Sequence, residues 1–441
     1  MTLIDLGELR GDAEPEPPAR PPRAVGRPLR VALAGALALL TLAASAAVVR
    51  PPSTVLPGRV GAVEVAVTPD RVYVAEREGP ESGGREVAAY ATPTRAGEPL
   101  RLLWRVSLPG AGGLFGLAER DGVVFVNVDL DTDHPQTILV DAKTGGRLSR
   151  HPGSGAPTVG GGLLLLGNST LGAPGLQLVD LASGRVRWSL PQSLVTFNYH
   201  RRGELVDRVV VTSDLLPGAD RDGRIEVRDV VSGAVLAARD LKGRERPTYR
   251  QVNLAGELLL VTEGEPGGGA VVTAYGLAAL DRRWERRLAE FGQAEQCGAL
   301  LCVSAPRRGE VSALDPATGR TRWSNPRWPW FLVARGDRLL VGAVDQRPTG
   351  GGFAVLDAAT GRQLGELGRW QLTFARDPDA PLFGVRRTRE GDLLVAELDL
   401  ARAEARVLDV LPDATGECVV AGRSAVCRRV GGAFGWWRLR R

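Results

Sequence analysis

Residues 177–188 read QLVDLASGRVRW, residues 312–323 read SALDPATGRTRW, and residues 354–365 read AVLDAATGRQLG. One frame recurs in all three: a short apolar run, Asp, two variable residues, Ser or Thr, then Gly. Local chemistry accounts for it. An Asp carboxylate accepts hydrogen bonds from backbone N–H groups two residues on, and Gly supplies the positive φ that closes a hairpin. Weaker copies stand at 138–149 (ILVDAKTGGRLS) and 226–237 (EVRDVVSGAVLA). Two more, TAYGLAALDRRW at 273–284 and AELDLARAEARV at 396–407, keep the apolar frame and lose part of the turn. The turn-forming pairs are therefore Asp141 and Gly145, Asp180 and Gly184, Asp229 and Gly233, Asp315 and Gly319, and Asp357 and Gly361. From 141 to 399 the markers stand 43 residues apart on average, the length of a propeller blade.

Upstream of the frame sits a second hairpin, as in AERDGVVFVNV (118–128), TVGGGLLLLGN (158–168) and ARGDRLLVGAV (334–344). Each has a tight Gly or Asp-Gly turn followed by a strand apolar enough to be buried. Two hairpins per repeat make a four-stranded antiparallel blade. The strands ahead of residue 141 supply one further repeat, with Trp104 where the Trp of the frame falls. The expectation is an all-β, eight-bladed propeller, with seven blades as the alternative count, whose radial closure hides sheet edges. Trp104, Trp188, Trp284 and Trp323 occupy equivalent places and are expected to pack between neighbouring blades. The final stretch, 414–441, keeps a strand pattern and is expected to return to the first blade and complete the ring.

Composition narrows the function. With 44% hydrophobic residues the chain can bury a large core, which excludes wholesale disorder. Basic and acidic side chains number 56 and 51, too even a balance to point to a nucleic-acid partner. Only Lys143 and Lys242 are lysines, so the arginine excess reflects a general bias. Cys297 with Cys302, and Cys418 with Cys427, flank short turns that bring each pair into disulfide reach, and these local bonds are expected in an oxidising compartment. His134, His151 and His200 are far apart and read as ordinary loop residues, so no metal site is expected. One Asp per blade, spread around a ring, cannot converge on a calcium ion.

At the other end, residues 31–49 read VALAGALALLTLAASAAVV without a charge. As a helix this run spans about 28 Å, close to the hydrocarbon thickness of a bilayer. Arg20, Arg23, Arg27 and Arg30 precede it, which by the positive-inside rule keeps residues 1–30 cytoplasmic and sends the remainder outward. The expected organisation is a disordered cytoplasmic tail (1–30), a signal-anchor transmembrane helix (31–49), a Pro-rich linker (50–59) and an extracytoplasmic propeller (60–441). A cleaved signal peptide ending near Val48 is the competing reading.

The Asp-x-x-(Thr/Ser)-Gly-x-x-x-Trp repeats resemble the PQQ-like β-propeller family. That family holds quinone-dependent dehydrogenases and also non-catalytic scaffolds, among them the propeller lipoprotein of outer-membrane barrel assembly. The resemblance implies the fold; the recurring residues are blade builders and assign no chemistry. The quinoprotein enzymes carry a ring of adjacent cysteines, a calcium ion and a catalytic Asp, and no residue here matches those positions. No catalytic, cofactor-binding or metal-binding residue and no cofactor is therefore expected. Trp328 and Trp330, in RWPWF, read as packing residues more than stacking surfaces. The leading expectation is a non-enzymatic, membrane-anchored scaffold binding a protein or cell-envelope partner. The alternatives are a ligand or glycan sensor using the channel, and a quinone-dependent oxidoreductase.

Overall fold

The computed structural model describes residues 33, 53–56, 64–77, 85–95, 97–108, 114–129, 135–167, 175–190, 195–203, 205–213, 223–241, 248–266, 268–343, 351–373 and 380–440. Everything below lies in 50–441, one compact unit. Of 1–49 only Leu33, a helical residue, is described, so the anchor expected at 31–49 lies outside the described residues. Among those described, no helix is long and apolar enough to cross a membrane.

The architecture is all-β and of propeller type. Successive strands pair antiparallel in up-and-down groups of four, which we number in chain order: 1 (64–108), 2 (114–152), 3 (154–190), 4 (195–241), 5 (250–288), 6 (294–325), 7 (330–370) and 8 (371–411). The last stretch departs from expectation. It does not return to the first group. Its three strands, Ala414–Ala421, Ser424–Arg429 and Phe434–Arg438, form a sheet of their own, completed by Thr54–Val55 pairing with Trp436 and Gly435. The described strands thus make nine groups, one more than the repeat count.

Two neighbouring groups are fused more tightly than the rest. Strand Gln363–Thr373 closes group 7 with its first eight residues and opens group 8 with its last three, Gln371 facing Val385. Gly368, at φ 82°, sits among the register shifts of this strand. Groups 3 and 4 are joined by a single parallel bridge between Thr158 and Val206.

Burial follows from stacking. A sheet covered on both faces reads as a continuous apolar run, and Leu258–Gly264 (LLLVTEG) and Ala270–Gly276 (AVVTAYG) are buried throughout. The outermost strand of the same group, Arg282–Leu288 (RRWERRL), faces solvent and keeps little beyond Trp284 inside. Because successive side chains point to opposite faces, Tyr73 and Ala75 pack toward group 2 while Val72 and Val74 pack toward the closing sheet. In the closing sheet Trp436 packs with group 1 and its neighbour Trp437 with group 8, both essentially inaccessible. The apolar clusters therefore run from group to group and return to the first.

Removing residues 414–441 strips a covering face from both group 1 and group 8. The expected outcome is loss of the cooperative thermal transition followed by circular dichroism. An unchanged transition in the shortened chain would contradict closure.

Candidate functional site

In an up-and-down sheet of four strands, the first and third hairpin turns lie on one face. The Asp–Gly turns therefore gather on a single face of the molecule. In group 3 the Asp180 Oδ1 accepts from Ala182 N (3.1 Å), Ser183 N (2.8 Å) and Ser183 Oγ (2.9 Å), while Oδ2 takes the Arg187 Nε (3.1 Å). The turn itself closes by Gly184 N donating to Asp180 O at 2.8 Å. Asp141, Asp229, Asp315 and Asp357 are held in the same way by Thr144, Ser232, Thr318 and Thr360.

These bonds set the electrostatics. The Arg187 side chain, then Ser183, hold the Asp180 carboxyl well below the ordinary carboxylate range. Arg322 does so first for Asp315, Thr144 for Asp141, Ser232 for Asp229 and Thr360 for Asp357. One oxygen of each motif carboxylate is taken up by its own turn, and Arg187 and Arg322 bind the second oxygen of Asp180 and Asp315.

The glycines carry a second constraint. Gly145, Gly233, Gly319 and Gly361 all have φ between 67° and 75°, and each lies under the indole of the preceding group. A Cβ on Gly145 would stand 2.7 Å from Trp104, on Gly233 2.7 Å from Trp188, and on Gly319 2.6 Å from Trp284; Gly361 meets Trp323 as closely. Each indole N–H then donates to the carbonyl one residue past the Asp frame position: Trp104 to Ala142 (2.8 Å), Trp188 to Val230 (2.9 Å), Trp284 to Pro316 (2.8 Å) and Trp323 to Ala358 (3.0 Å).

Where a Trp is missing, the next turn changes with it. Group 4 has Ala237 opposite Val227, the indole position. The following turn carries Leu280 in place of Gly, at φ 53° and almost wholly buried. Its side chain packs in the cluster beside Ala237, and Arg239 Nη1 donates to Leu280 O at 2.8 Å. Similarly, Gly365 stands at the indole position of group 7 and packs against Ala403, whose φ is 55°.

Other polar residues are dispersed. His200 is on strand Val195–Arg202 and His151 on strand Arg147–Pro152, so neither is the loop residue expected; His134 lies outside the described residues. His200 Nδ1 lies 2.6 Å from the buried Asp207, with Glu257 of the next group 3.8 Å from Nε2. His200 and Asp207 meet within one hairpin of group 4, while the Glu257 contact spans groups 4 and 5 across 57 positions of sequence. Trp328 is buried, its N–H 3.2 Å from Gln363 Oε1, and Trp330 is half-buried on an inner strand. A cleft of about 220 Å³ opens between groups 5 and 6, with Leu288 and Val303 in its wall and Arg308 and Glu310 at its rim.

The cysteines form two bonds, Cys297–Cys302 and Cys418–Cys427, with Cα atoms 5.7 and 4.1 Å apart. The first hairpin turns at Gly298–Ala299, pairing Cys297 with Leu300, so its cysteines meet diagonally and not face to face. The second spans a register shift between Gly416 and Val419. Neither bond joins adjacent cysteines, and among the described residues no three His, Cys, Asp or Glu side chains are grouped to hold a metal ion.

Radial four-stranded groups, Asp–Gly turns and indoles docked on the following turn define a propeller of the PQQ-like class. The profile described as "Outer membrane protein assembly factor BamB" matches residues 85–325, more than half of the chain, and the chain belongs to that family. No curated protein matches it in sequence. Among solved structures, BamB from Moraxella catarrhalis is similar at 14% identity and TM-score 0.43, covering 88% of this chain and 97% of that one. The C-terminal WD40 domain of Sif2 gives 11% and 0.40, covering 88% and 99%. The dihydro-heme d1 dehydrogenase NirN in complex with DHE gives 16% and 0.42, covering 71% and 68%.

Two outcomes follow. Leu280→Gly empties a buried site and is expected to cost about 2–4 kcal/mol in denaturant unfolding, a loss that Ala237→Trp in the same chain should largely restore. The motif carboxylates have folded pKa values below their unfolded values of about 3.9. Their stabilisation is complete above that value and drains away as pH falls through the depressed folded values. Asp180→Asn should therefore lose less stability than the native chain on acidification below about pH 4, as read from melting curves.

Proposed function

We propose that the chain is a non-enzymatic scaffold, anchored in the membrane by residues 31–49 and presenting its propeller outside the cytoplasm to a protein or cell-envelope partner. On this reading residues 1–30 are a cytoplasmic tail, 50–59 a linker that also lends Thr54–Val55 to the closing sheet, and 60–441 the remainder of a ring of nine blades. The observation that carries it is the use made of the recurring polar residues. Each motif Asp is bonded within its own turn, and each motif indole binds the next blade. Residues so committed make a rigid frame and leave recognition to the surface. The family's description as an assembly factor supports a partner that is itself a protein.

The extracytoplasmic placing is tested by treating intact spheroplasts with protease. The propeller should be digested while an epitope fused before Met1 stays protected and keeps the mobility of an uncleaved anchor. An isolated mature chain beginning near Val48 would contradict the anchor. The scaffold reading is tested by in-cell cross-linking followed by purification in detergent, with one protein recovered reproducibly as the expected result. Dye reduction by purified chain loaded with pyrroloquinoline quinone and calcium would overturn it.

A further inference from the structure

The Asp–Gly turn of group 3 breaks the pattern set by the others. Four of the five motif glycines lie beneath an indole, but Gly184 is exposed, and a Cβ built on it would meet nothing within 4 Å. The cause is in group 2. Opposite Leu139, where the repeat places its Trp, stands Ser149, whose hydroxyl is 2.8 Å from His151 Nε2. Elsewhere a missing indole is compensated from within, by Leu280 against Ala237 and by Ala403 against Gly365. Between groups 2 and 3 neither remedy is present. The turn keeps its open Gly, at φ 69°.

The rest of an indole dock is in place. Leu181 follows Asp180 as Ala142, Val230, Pro316 and Ala358 follow their frame positions, so its carbonyl is the equivalent acceptor, and among the described residues no side chain donates to it. Val186, paired with Val179 on the outer strand of group 3, is 52% exposed, and Leu181 packs beside Leu139 of group 2, apolar surface that a flat ring would cover. The chain has nine tryptophans. Four fill the other docks, Trp328, Trp370, Trp436 and Trp437 are buried, and Trp330 is half-buried on its strand. None of the nine is left to fill this dock, so a ring seated there would come from another protein.

We infer that the notch between groups 2 and 3 is a docking site for a tryptophan side chain of a protein partner, its indole N–H donating to the Leu181 carbonyl over Gly184. Exposed Gly184 is then the one motif turn whose cover is supplied in trans. Aromatic side chains with one polar edge are the usual anchors of protein interfaces, burying large area at little entropic cost.

The inference rests on the scaffold reading for the source of the guest, and its test separates the two. The probe is N-acetyl-5-fluorotryptophanamide, followed by fluorine NMR against the full chain in detergent. Saturable line broadening is expected with the native chain. Ser149→Trp, which supplies the missing ring from within, and Gly184→Leu should each weaken binding more than tenfold. Gly336→Leu, the same change at another positive-φ turn with open space above it, should leave binding intact. Ser149→Trp should also raise the melting temperature and abolish recovery of the cross-linked partner. No binding to the native chain, equal binding to all variants, or partner recovery that survives Ser149→Trp would each overturn the dock. Failure of the native chain to capture any partner is a separate result, and it bears on the scaffold reading.

Discussion

The contact on which the molecule depends is an indole of one blade seated over the turn glycine of the next. It makes two demands at one residue. The hairpin needs positive φ, which any L side chain resists, and the incoming ring needs the space where a Cβ would be. Gly alone meets both. The indole N–H then satisfies a backbone carbonyl at the turn, so sheet packing and hydrogen bonding are coupled across every such interface. At two places where Trp is absent the relaxed demand shows: Leu280 and Ala403 accept the strained backbone and fill the space themselves.

A chain of such contacts has two ends, and open-ended sheets expose apolar faces and unpaired edges. The closing sheet removes both. Three of its strands come from the end of the chain and the fourth from Thr54–Val55, while Trp436 and Trp437 point into the two neighbouring blades. Two adjacent residues on one strand thereby seal the ring in both directions. The two-residue strand contributes little area itself. Leu56, which follows it, is buried with Trp436, and the Leu56 N–H donates to Phe434 O.

Much of this was legible because turn chemistry is local. Asp, Ser or Thr, and Gly at fixed offsets give the hairpin away, and a constant interval gives the repeat. The ninth group was not legible. It lacks the Asp–Gly frame, its edge strand lies some 380 positions earlier in the chain, and the inner strand of group 8 is three residues of a longer strand. A sequence with one set of strands to spare points back to the first blade; the structure spends them on a separate sheet. The indoles lie over turn glycines of the next blade, a partnership that the spacing of the repeat does not state, although the pairing of Ala237 with Leu280 carries a signal of it. Glu257 beside His200 had no sequence signal at all, because the neighbouring group and not the local hairpin brings it there.

The same logic separates frame from function. Residues that repeat are occupied in building blades, so departures from the repeat mark where the surface has been left free, and Ser149 with Gly184 is such a departure. The claim beneath the whole account is that the indole and the glycine act as one unit. It is tested most directly by a double-mutant cycle on Trp284→Ala and Gly319→Ala, with unfolding free energies measured in denaturant. The account predicts a coupling of about 1 kcal/mol or more, because the alanine methyl collides with a ring only when that ring is present. Additive effects within error would contradict it.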